Sequence, residues 1–306
     1  MRTERATSGQ SQQEQVGNIM GDMRYEAPDS LDQAVALLAA ADGEARVLAG
    51  GTDLLVQMRS GLIEPGLVVD IKKIDELRSI GEEAEGWRLG ATVTGAEIGE
   101  HAALKSAWPG VCEAIELIGS TQVQGRATVG GNLCNASPAA DSVPALIAAG
   151  ARASIAGPGG RRELAVEEVA TGPGQTALTP GEIVVSLLLP KAPAATGDAY
   201  LRMIPRTEMD IAIVGAGVCL TMDGDTCSAA RVALGAVAER ALLVPEAAQA
   251  LVGTSLDEAA MAALAAAASA ACRPIDDKRG TKEYRIKVAG VLACRAAQTA
   301  RQRAQP

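Results

Sequence analysis

Residues 126–150 read RATVGGNLCNASPAADSVPALIAAG, and the organisation of the chain follows from this stretch, called here the second glycine segment. It contains the adjacent glycines Gly130 and Gly131, a run of small and amide side chains, and one carboxylate, Asp141. Its apolar end predicts a helix over residues 144–149. Glycine allows positive φ and lets backbone N–H groups approach an anion without an intervening Cβ. The segment therefore predicts a backbone site for an anionic group.

The first glycine segment, residues 47–61 (VLAGGTDLLVQMRSG), repeats this design. A β-like entry breaks at Gly50 and Gly51, and apolar residues follow. A helix at that point would add its N-terminal N–H groups and its dipole to the same site. A pair of glycines between a strand and a helix is, by itself, more often simply a tight turn. Two such segments together predict one ligand held from two sides.

The sequence motifs of the two segments, AGGTDLL and TVGGNLCNASPAAD, resemble those of the flavin-binding subunits of the molybdenum hydroxylases. That family includes the medium subunit of carbon monoxide dehydrogenase and the flavin domain of xanthine dehydrogenase, and the similarity extends over residues 23–300. The resemblance implies an α+β protein, with a two-lobed FAD-binding fold of the para-cresol methylhydroxylase / vanillyl-alcohol oxidase type and a C-terminal α+β domain. The expected division is a disordered extension at 1–21, an FAD-binding domain at 22–190 with lobes at 22–78 and 79–190, and a C-terminal domain at 198–303.

The resemblance also implies how the chain holds one FAD without a covalent bond. The first glycine segment would offer N–H groups and the Thr52 hydroxyl to the pyrophosphate, and Asp53 would brace the turn by accepting loop N–H bonds. Asp141 would bond a hydroxyl of the sugar or ribityl part, and a cation at Arg202 would favour the anionic reduced flavin. Thr128, Gly130, Gly131 and Asn132 would approach the phosphates and the flavin edge, and Ile118 and Val184 would lie at apolar positions beside the cofactor. The full expected set of cofactor-binding residues is Val47, Leu48, Ala49, Gly50, Gly51, Thr52, Asp53, Leu54, Ile118, Thr128, Val129, Gly130, Gly131, Asn132, Asp141, Val184 and Arg202. No catalytic residue and no metal ligand is expected in the chain.

By the same resemblance the chain would be the oxidoreductase subunit that passes electrons through FAD to an external acceptor. Electrons would come from a large molybdopterin subunit through two [2Fe–2S] clusters of a small subunit, in a dimer of heterotrimers. One alternative is a stand-alone FAD oxidoreductase with its own small substrate, which the lack of an acid–base pair near the glycine segments disfavours. The other is a scaffold protein without flavin, which the intact glycine pairs disfavour.

Composition excludes several other classes. The 306 residues carry 28 Lys and Arg against 37 Asp and Glu, a net charge of −9, without the basic stripe of a nucleic-acid surface. His101 is the only histidine and the six cysteines form no CxxC pair, which disfavours catalytic triads, zinc sites and iron–sulfur sites. Free thiols indicate a reducing cytoplasm. No stretch reaches the length of a membrane span, and the polar start lacks the apolar core of a secretion signal.

Three local predictions concern the second half of the chain. Residues 191–197 (KAPAATG) are typical of a linker, and residues 169–173 of a surface loop. Residues 211–214 and 216–222 are predicted to be strand-like. The glycines within 213–218 (IVGAGV) could be taken for a dinucleotide fingerprint, but the third glycine is missing and the pattern continues as a strand.

Overall fold

A computed structural model describes residues 23–305, and the extension predicted at residues 1–21 lies outside the described residues. The first unit is a three-stranded parallel sheet in the order β1-β3-β2 with two short helices. Its elements are β1 (Arg24–Glu26), α1 (Leu31–Ala39), β2 (Ala45–Leu48), α2 (Leu54–Arg59) and β3 (Leu67–Asp70). The helix expected after the first glycine segment is therefore present as α2. The Ser30 hydroxyl caps α1 by accepting the Gln33 N–H.

The second unit is a five-stranded antiparallel sheet in the order β4-β5-β10-β6-β7, covered by short helices. Its strands are β4 (Ile80–Glu83), β5 (Gly86–Gly90), β6 (Arg152–Gly157), β7 (Gly160–Ala165), β8 (Ala170–Gly172), β9 (Gln175–Thr176) and β10 (Ile183–Pro190). Its helices are α3 (Gly95–Glu100), α4 (Ala102–Ala107), α5 (Pro109–Glu116), α6 (Thr121–Gln124), α7 (Val129–Cys134), α8 (Ser142–Ala148) and α9 (Val166–Val169). A capping box between Thr94 and Glu97 starts α3.

Two parts of this unit differ from the sequence prediction. The segment predicted as a surface loop at 169–173 contains β8, which pairs with β9 in a small separate sheet. The hairpin of β6 and β7 was not predicted at all. Its second strand places Arg161, Arg162 and Glu163 at exposed or half-buried positions, so the run of charges conceals the alternation that marks a strand.

The third unit is an antiparallel sheet in the order β11-β12-β13-β14, backed by a long C-terminal helix. Its elements are β11 (Thr196–Met203), β12 (Val214–Asp223), β13 (Thr226–Gly235), β14 (Leu242–Leu243), α10 (Pro245–Gln249), α11 (Glu258–Ala271) and α12 (Lys282–Ala304). The predicted linker is too long by two residues, because Thr196 and Gly197 already pair with β12. Residues 211–213 precede the strand rather than belong to it, and the Ile213 N–H donates to the Met203 carbonyl to close the loop between β11 and β12.

The glycines of residues 213–218 have a packing role. Residues 214–223 continue as β12, which confirms that they are no dinucleotide fingerprint. A Cβ on Gly217 would lie 2.5 Å from the Pro144 carbonyl oxygen, and one on Gly235 would lie 2.7 Å from the Pro144 ring. Glycine at these two strand positions therefore lets α8 rest directly on the third sheet. The second glycine segment and the third unit thus share one interior.

The cores are built from aliphatic side chains, as the absence of Phe requires. All six cysteines lie in the described residues and are unpaired, as predicted. Within residues 23–305, no helix combines the length and the apolar composition needed to cross a bilayer.

The end of α12 is fastened to α5 of the second unit by Arg303. Its Nη1 donates to Glu113 Oε2 (3.0 Å) and to the Asp198 carbonyl (2.9 Å). The buried Asp198 side chain accepts the Val111 N–H at 3.0 Å, so it caps the start of α5 from the third unit. Burial raises the pKa of Asp198 to about 6, although these N–H bonds and Arg303 oppose the rise.

Replacing Asp198 by Asn is expected to change stability in a pH-dependent way. A group whose pKa is raised on folding stabilises the fold below its ordinary pKa and loses that contribution as the pH rises through the folded value. A pKa of about 6 instead of 3.8 corresponds to about 3 kcal/mol. D198N keeps an acceptor for the Val111 N–H without a buried charge, so its stability relative to wild type should rise between pH 4 and 7. Urea unfolding across this range measures the difference.

Glu182 offers a control of opposite sign. Its bonds from Arg162 lower its pKa to about 2, so E182Q should lose stability relative to wild type as the pH rises from 3 to 6. A D198N variant that loses stability relative to wild type toward neutral pH would contradict the prediction.

Candidate functional site

The first glycine segment turns sharply between β2 and α2. Gly51 has φ of +77°, in the left-handed region that an L side chain rarely adopts. A Cβ on this residue would also lie 2.9 Å from Leu48 Cδ1 and 3.2 Å from Leu55 Cδ1. Glycine is required here by backbone conformation and by packing together.

The turn leaves a row of backbone donors without protein partners. Within residues 23–305, the N–H groups of Gly50, Gly51, Thr52 and Asp53 donate to no protein acceptor. Gly50, Gly51 and Thr52 are half-buried, so the groups lie at an accessible surface. Successive free N–H groups in such a turn form a concavity suited to an anion such as a phosphate.

Asp53 does not play the role that the sequence predicts for it. Its carboxylate makes no bond to the N–H groups at the start of α2, so the interpretation that it braces the turn through loop N–H groups is wrong. Desolvation raises the pKa of Asp53, and a hydrogen bond from the Thr52 side chain partly offsets this.

The second glycine pair lies inside a helix rather than in a loop. Thr128 caps α7, and its Oγ1 accepts the Gly131 N–H at 3.1 Å. The N–H groups of Val129, Gly130 and Asn132 also donate within the protein, to the carbonyls of residues 93, 91 and 128. The backbone donors of this pair are thus committed to the fold, in contrast to those of the first glycine segment.

Close packing explains why residues 130 and 131 are glycines. A Cβ on Gly130 would lie 2.7 Å from the Ala91 carbonyl oxygen, and a Cβ on Gly131 would lie 2.7 Å from Thr128 Oγ1. The first glycine lets α7 pack on the end of the second sheet, and the second leaves room for the capping hydroxyl. The side chains of Thr128 and Asn132 remain as the polar groups that this stretch can offer a ligand.

The two glycine segments are in direct contact. A Cβ on Gly50 would lie 2.1 Å from the Arg126 carbonyl oxygen and 3.0 Å from Ala127 Cα. Farther along, Gln57 Nε2 of α2 donates to Asn135 Oδ1 at 3.2 Å. The free N–H groups of the first segment therefore lie beside the second, whose own backbone donors at residues 129–132 are used within the protein.

Asp141 forms the polar centre on the other side of α7. It is buried at the start of α8, where Tyr200 Oη donates to its Oδ1 (3.0 Å) and Arg202 Nη1 to its Oδ2 (2.8 Å). Arg202 Nη1 also donates to the Leu117 carbonyl at 2.8 Å. Burial raises the pKa of Asp141 to about 6, against the opposing effects of Arg202 and Tyr200. At neutral pH it is therefore mostly an ionised acceptor.

The remaining predicted residues lie in three parts of the structure. Ile118 is half-buried against the core of the second unit, next to Leu117. Val184 is buried in β10. Its neighbour Val185 is linked to Gly130 through Ala91, whose N–H donates to the Val185 carbonyl while its own carbonyl accepts from Gly130. Val47, Leu48, Ala49 and Leu54 flank the free N–H groups at the end of β2 and the start of α2.

Sequence reasoning missed two partners at this centre, Tyr200 and the Leu117 carbonyl. Tyr200 and Arg202 are two residues apart on β11, so their side chains share one face. That spacing was the signal available in the sequence, but a tyrosine in a strand is equally typical of a core position.

Comparisons with known proteins identify the family to which the chain is similar. Residues 21–192 match the family model of the FAD binding domain in molybdopterin dehydrogenase, and residues 199–300 match that of the CO dehydrogenase flavoprotein C-terminal domain. The chain is 36% identical to the carbon monoxide dehydrogenase medium chain of Afipia carboxidovorans over 94% of this chain and 99% of that one. It is 30% identical to the xanthine dehydrogenase FAD-binding subunit of Escherichia coli O157:H7 over 86% and 90% of the two chains.

Solved structures give the same result. Reconstituted CO dehydrogenase from Oligotropha carboxidovorans contains a chain that superposes with a TM-score of 0.89 and 36% identity, covering 92% of this chain and 99% of that one. Quinoline 2-oxidoreductase from Pseudomonas putida 86 contains one with a TM-score of 0.85 and 32% identity, covering 93% and 98%.

Proposed function

The chain belongs to the family of FAD-binding subunits of the molybdenum hydroxylases, and from this premise we propose how its residues hold the cofactor. It is the flavoprotein subunit of an oxidoreductase, and its role is electron transfer through FAD. FAD supplies the redox chemistry when bound, whereas the protein binds it, orients it and shields it from water.

In this proposal the FAD pyrophosphate is bound by the N–H groups of residues 50–53. The observation that carries it is the row of accessible donors without protein partners, pressed against the second glycine segment at Gly50. Four N–H groups that would otherwise lack an acceptor fit a group with two negative charges. Thr128 and Asn132 would add side-chain contacts, because the Asn132 N–H already donates to the Thr128 carbonyl.

The Asp141 carboxylate accepts a hydrogen bond from a hydroxyl group of the sugar or ribityl part of FAD. Its two oxygens each receive one donor from β11, and a carboxylate oxygen has room for a further hydrogen bond. Arg202 acts directly on the Asp141 carboxylate, because its Nη1 donates both to Asp141 and to the Leu117 carbonyl. Ile118 and Val184 provide apolar and backbone contacts.

The assembly is proposed by analogy with the relatives, whose names describe them as medium chains or subunits. This chain would work in a complex with a large molybdopterin subunit and a small subunit carrying [2Fe–2S] clusters, arranged as a dimer of heterotrimers. The unpaired cysteines agree with a cytoplasmic location. We also retain the predicted division into lobes at 22–78 and 79–190 and a C-terminal domain at 198–303.

A titration with FAD tests the proposal directly. Purified apo-protein should quench flavin fluorescence with a stoichiometry of one FAD per chain, and ADP, which contains the same pyrophosphate, should compete. Riboflavin, which lacks phosphate, should bind far more weakly at equal concentration. Absence of FAD binding both to the isolated chain and to the chain co-expressed with its large and small subunits would contradict the proposal.

A further inference from the structure

The carboxylate of Asp141 is fixed by two donors from a different unit of the protein. Tyr200 and Arg202 both lie on β11 of the third unit, and each donates to one of the two carboxylate oxygens, at 3.0 and 2.8 Å. One donor would leave the carboxylate free to rotate about its Cβ–Cγ bond. Two donors on separate oxygens fix its plane.

The position of Tyr200 is itself closely determined. The side chain is buried, with 3% of the residue exposed, and its ring belongs to the core of the second unit. On the neighbouring strand β12, a Cβ on Gly215 would lie 2.5 Å from Tyr200 Oη, so the strand leaves space for the hydroxyl only because residue 215 is glycine. Burial raises the pKa of Tyr200 well above its usual value, so the phenol stays protonated and acts as a donor.

We propose that Tyr200 is a positioning residue that holds the Asp141 carboxylate in the orientation in which it accepts a hydroxyl of FAD, so that the third unit completes the cofactor site. This inference rests on the proposed function, because it assumes that Asp141 contacts FAD. In this proposal Tyr200 acts through Asp141, because its hydroxyl donates to that carboxylate.

Loss of the Tyr200 hydroxyl has two consequences for Asp141. One oxygen loses its fixed donor, so the carboxylate is less well oriented toward FAD. The burial that raises the pKa of Asp141 remains, while one of the two groups that oppose it is removed. Tyr200 and Arg202 are the titratable groups that face this acid, so in Tyr200→Phe the pKa of Asp141 should rise further and the ionised acceptor should be lost at higher pH.

The test is FAD affinity of Tyr200→Phe between pH 5 and 8. Wild-type affinity should fall as the pH drops through about 6, where Asp141 takes up a proton. In Y200F the dissociation constant at pH 7 should be roughly tenfold higher, as expected for loss of a hydrogen bond to a charged acceptor, and the fall should begin at higher pH. A purely structural role would lower the melting temperature without moving this pH profile.

Tyr25→Phe is a matched control. Tyr25 Oη donates to the Asp70 carboxylate at 2.6 Å, so the substitution removes the same atom and the same type of bond in the first unit. Y25F should leave both the FAD affinity and its pH profile unchanged. In an Asp141→Asn background, Y200F should have little further effect on affinity, because the two residues act through one contact.

Gly215→Ala provides a second variant if Y200F is poorly folded. The added methyl displaces the Tyr200 hydroxyl, so it should shift the pH profile in the same direction. Wild-type affinity and pH profile in both Y200F and G215A would overturn the inference while leaving the proposed function intact. Failure of the wild-type chain to bind FAD would instead contradict the proposed function.

Discussion

Gly50→Ala is expected to weaken FAD binding about a hundredfold, because the new methyl group would occupy the contact between the two glycine segments. Its Cβ would lie 2.1 Å from the Arg126 carbonyl oxygen, and neither partner is a flexible side chain. One backbone must move, at a cost near the upper end of the 1–3 kcal/mol typical of overpacking. Since about 2.7 kcal/mol corresponds to a factor of a hundred in affinity, fluorescence titration of FAD detects the change readily.

The control for this variant is Gly66→Ala in the same unit. A Cβ on Gly66 would have one neighbour within 4 Å, the Glu44 carbonyl oxygen at 3.9 Å, which is an ordinary contact. G66A should bind FAD as wild type does. If G50A also kept wild-type affinity, the contact between the glycine segments would not shape the cofactor site, and the N–H groups of residues 50–53 would have to bind the pyrophosphate independently of the second segment.

The sequence predicts the first glycine segment better than the second. In the first segment, glycine has the role expected of it in a turn, because Gly51 adopts positive φ and the neighbouring N–H groups have no protein acceptor. In the second, two adjacent glycines form part of a helix that intrinsic propensity disfavours. The Thr128 cap and the buried side chains of Val129 and Leu133 override that propensity. The need for glycine at Gly130 comes from Ala91, which lies far away in sequence, so no local pattern could reveal it.

The same limit applies to the polar centre. Asp141 could be proposed from its place in a recognisable motif, and Arg202 from its charge. Tyr200 could not, because its role depends on a hydrogen bond to a residue 59 positions earlier in the chain. Only the packing of the third sheet on α8, which Gly217 permits, brings the two together. Elements defined by local signals are easier to predict, and the helix expected after the first glycine segment is present as α2.

Arg202→Met is expected to destabilise the protein by about 3–5 kcal/mol at pH 8, the range found when one partner of a buried ion pair is removed. The Arg202 side chain is 8% exposed and that of Asp141 11%, so little solvent is available to replace the lost bonds. The Leu117 carbonyl would lose its donor as well. Methionine is similar in length and apolar, so loss of charge and hydrogen bonds, rather than a cavity, causes the effect. Urea unfolding measures it.

The pH dependence distinguishes this explanation from loss of packing. Without Arg202, the pKa of Asp141 should rise above its present value of about 6, and the acid can then relieve the cost by taking up a proton. The destabilisation of R202M should therefore be largest at pH 8 and shrink toward pH 5, and Asp141→Asn added to R202M should restore part of the stability. Arg161→Met is the control, since its pair with Glu76 is exposed and should contribute no more than about 1 kcal/mol. If the destabilisation caused by R202M were constant with pH and unaffected by D141N, the guanidinium would stabilise the fold only through its bond to the Leu117 carbonyl. The orientation of Asp141 would then depend on Tyr200.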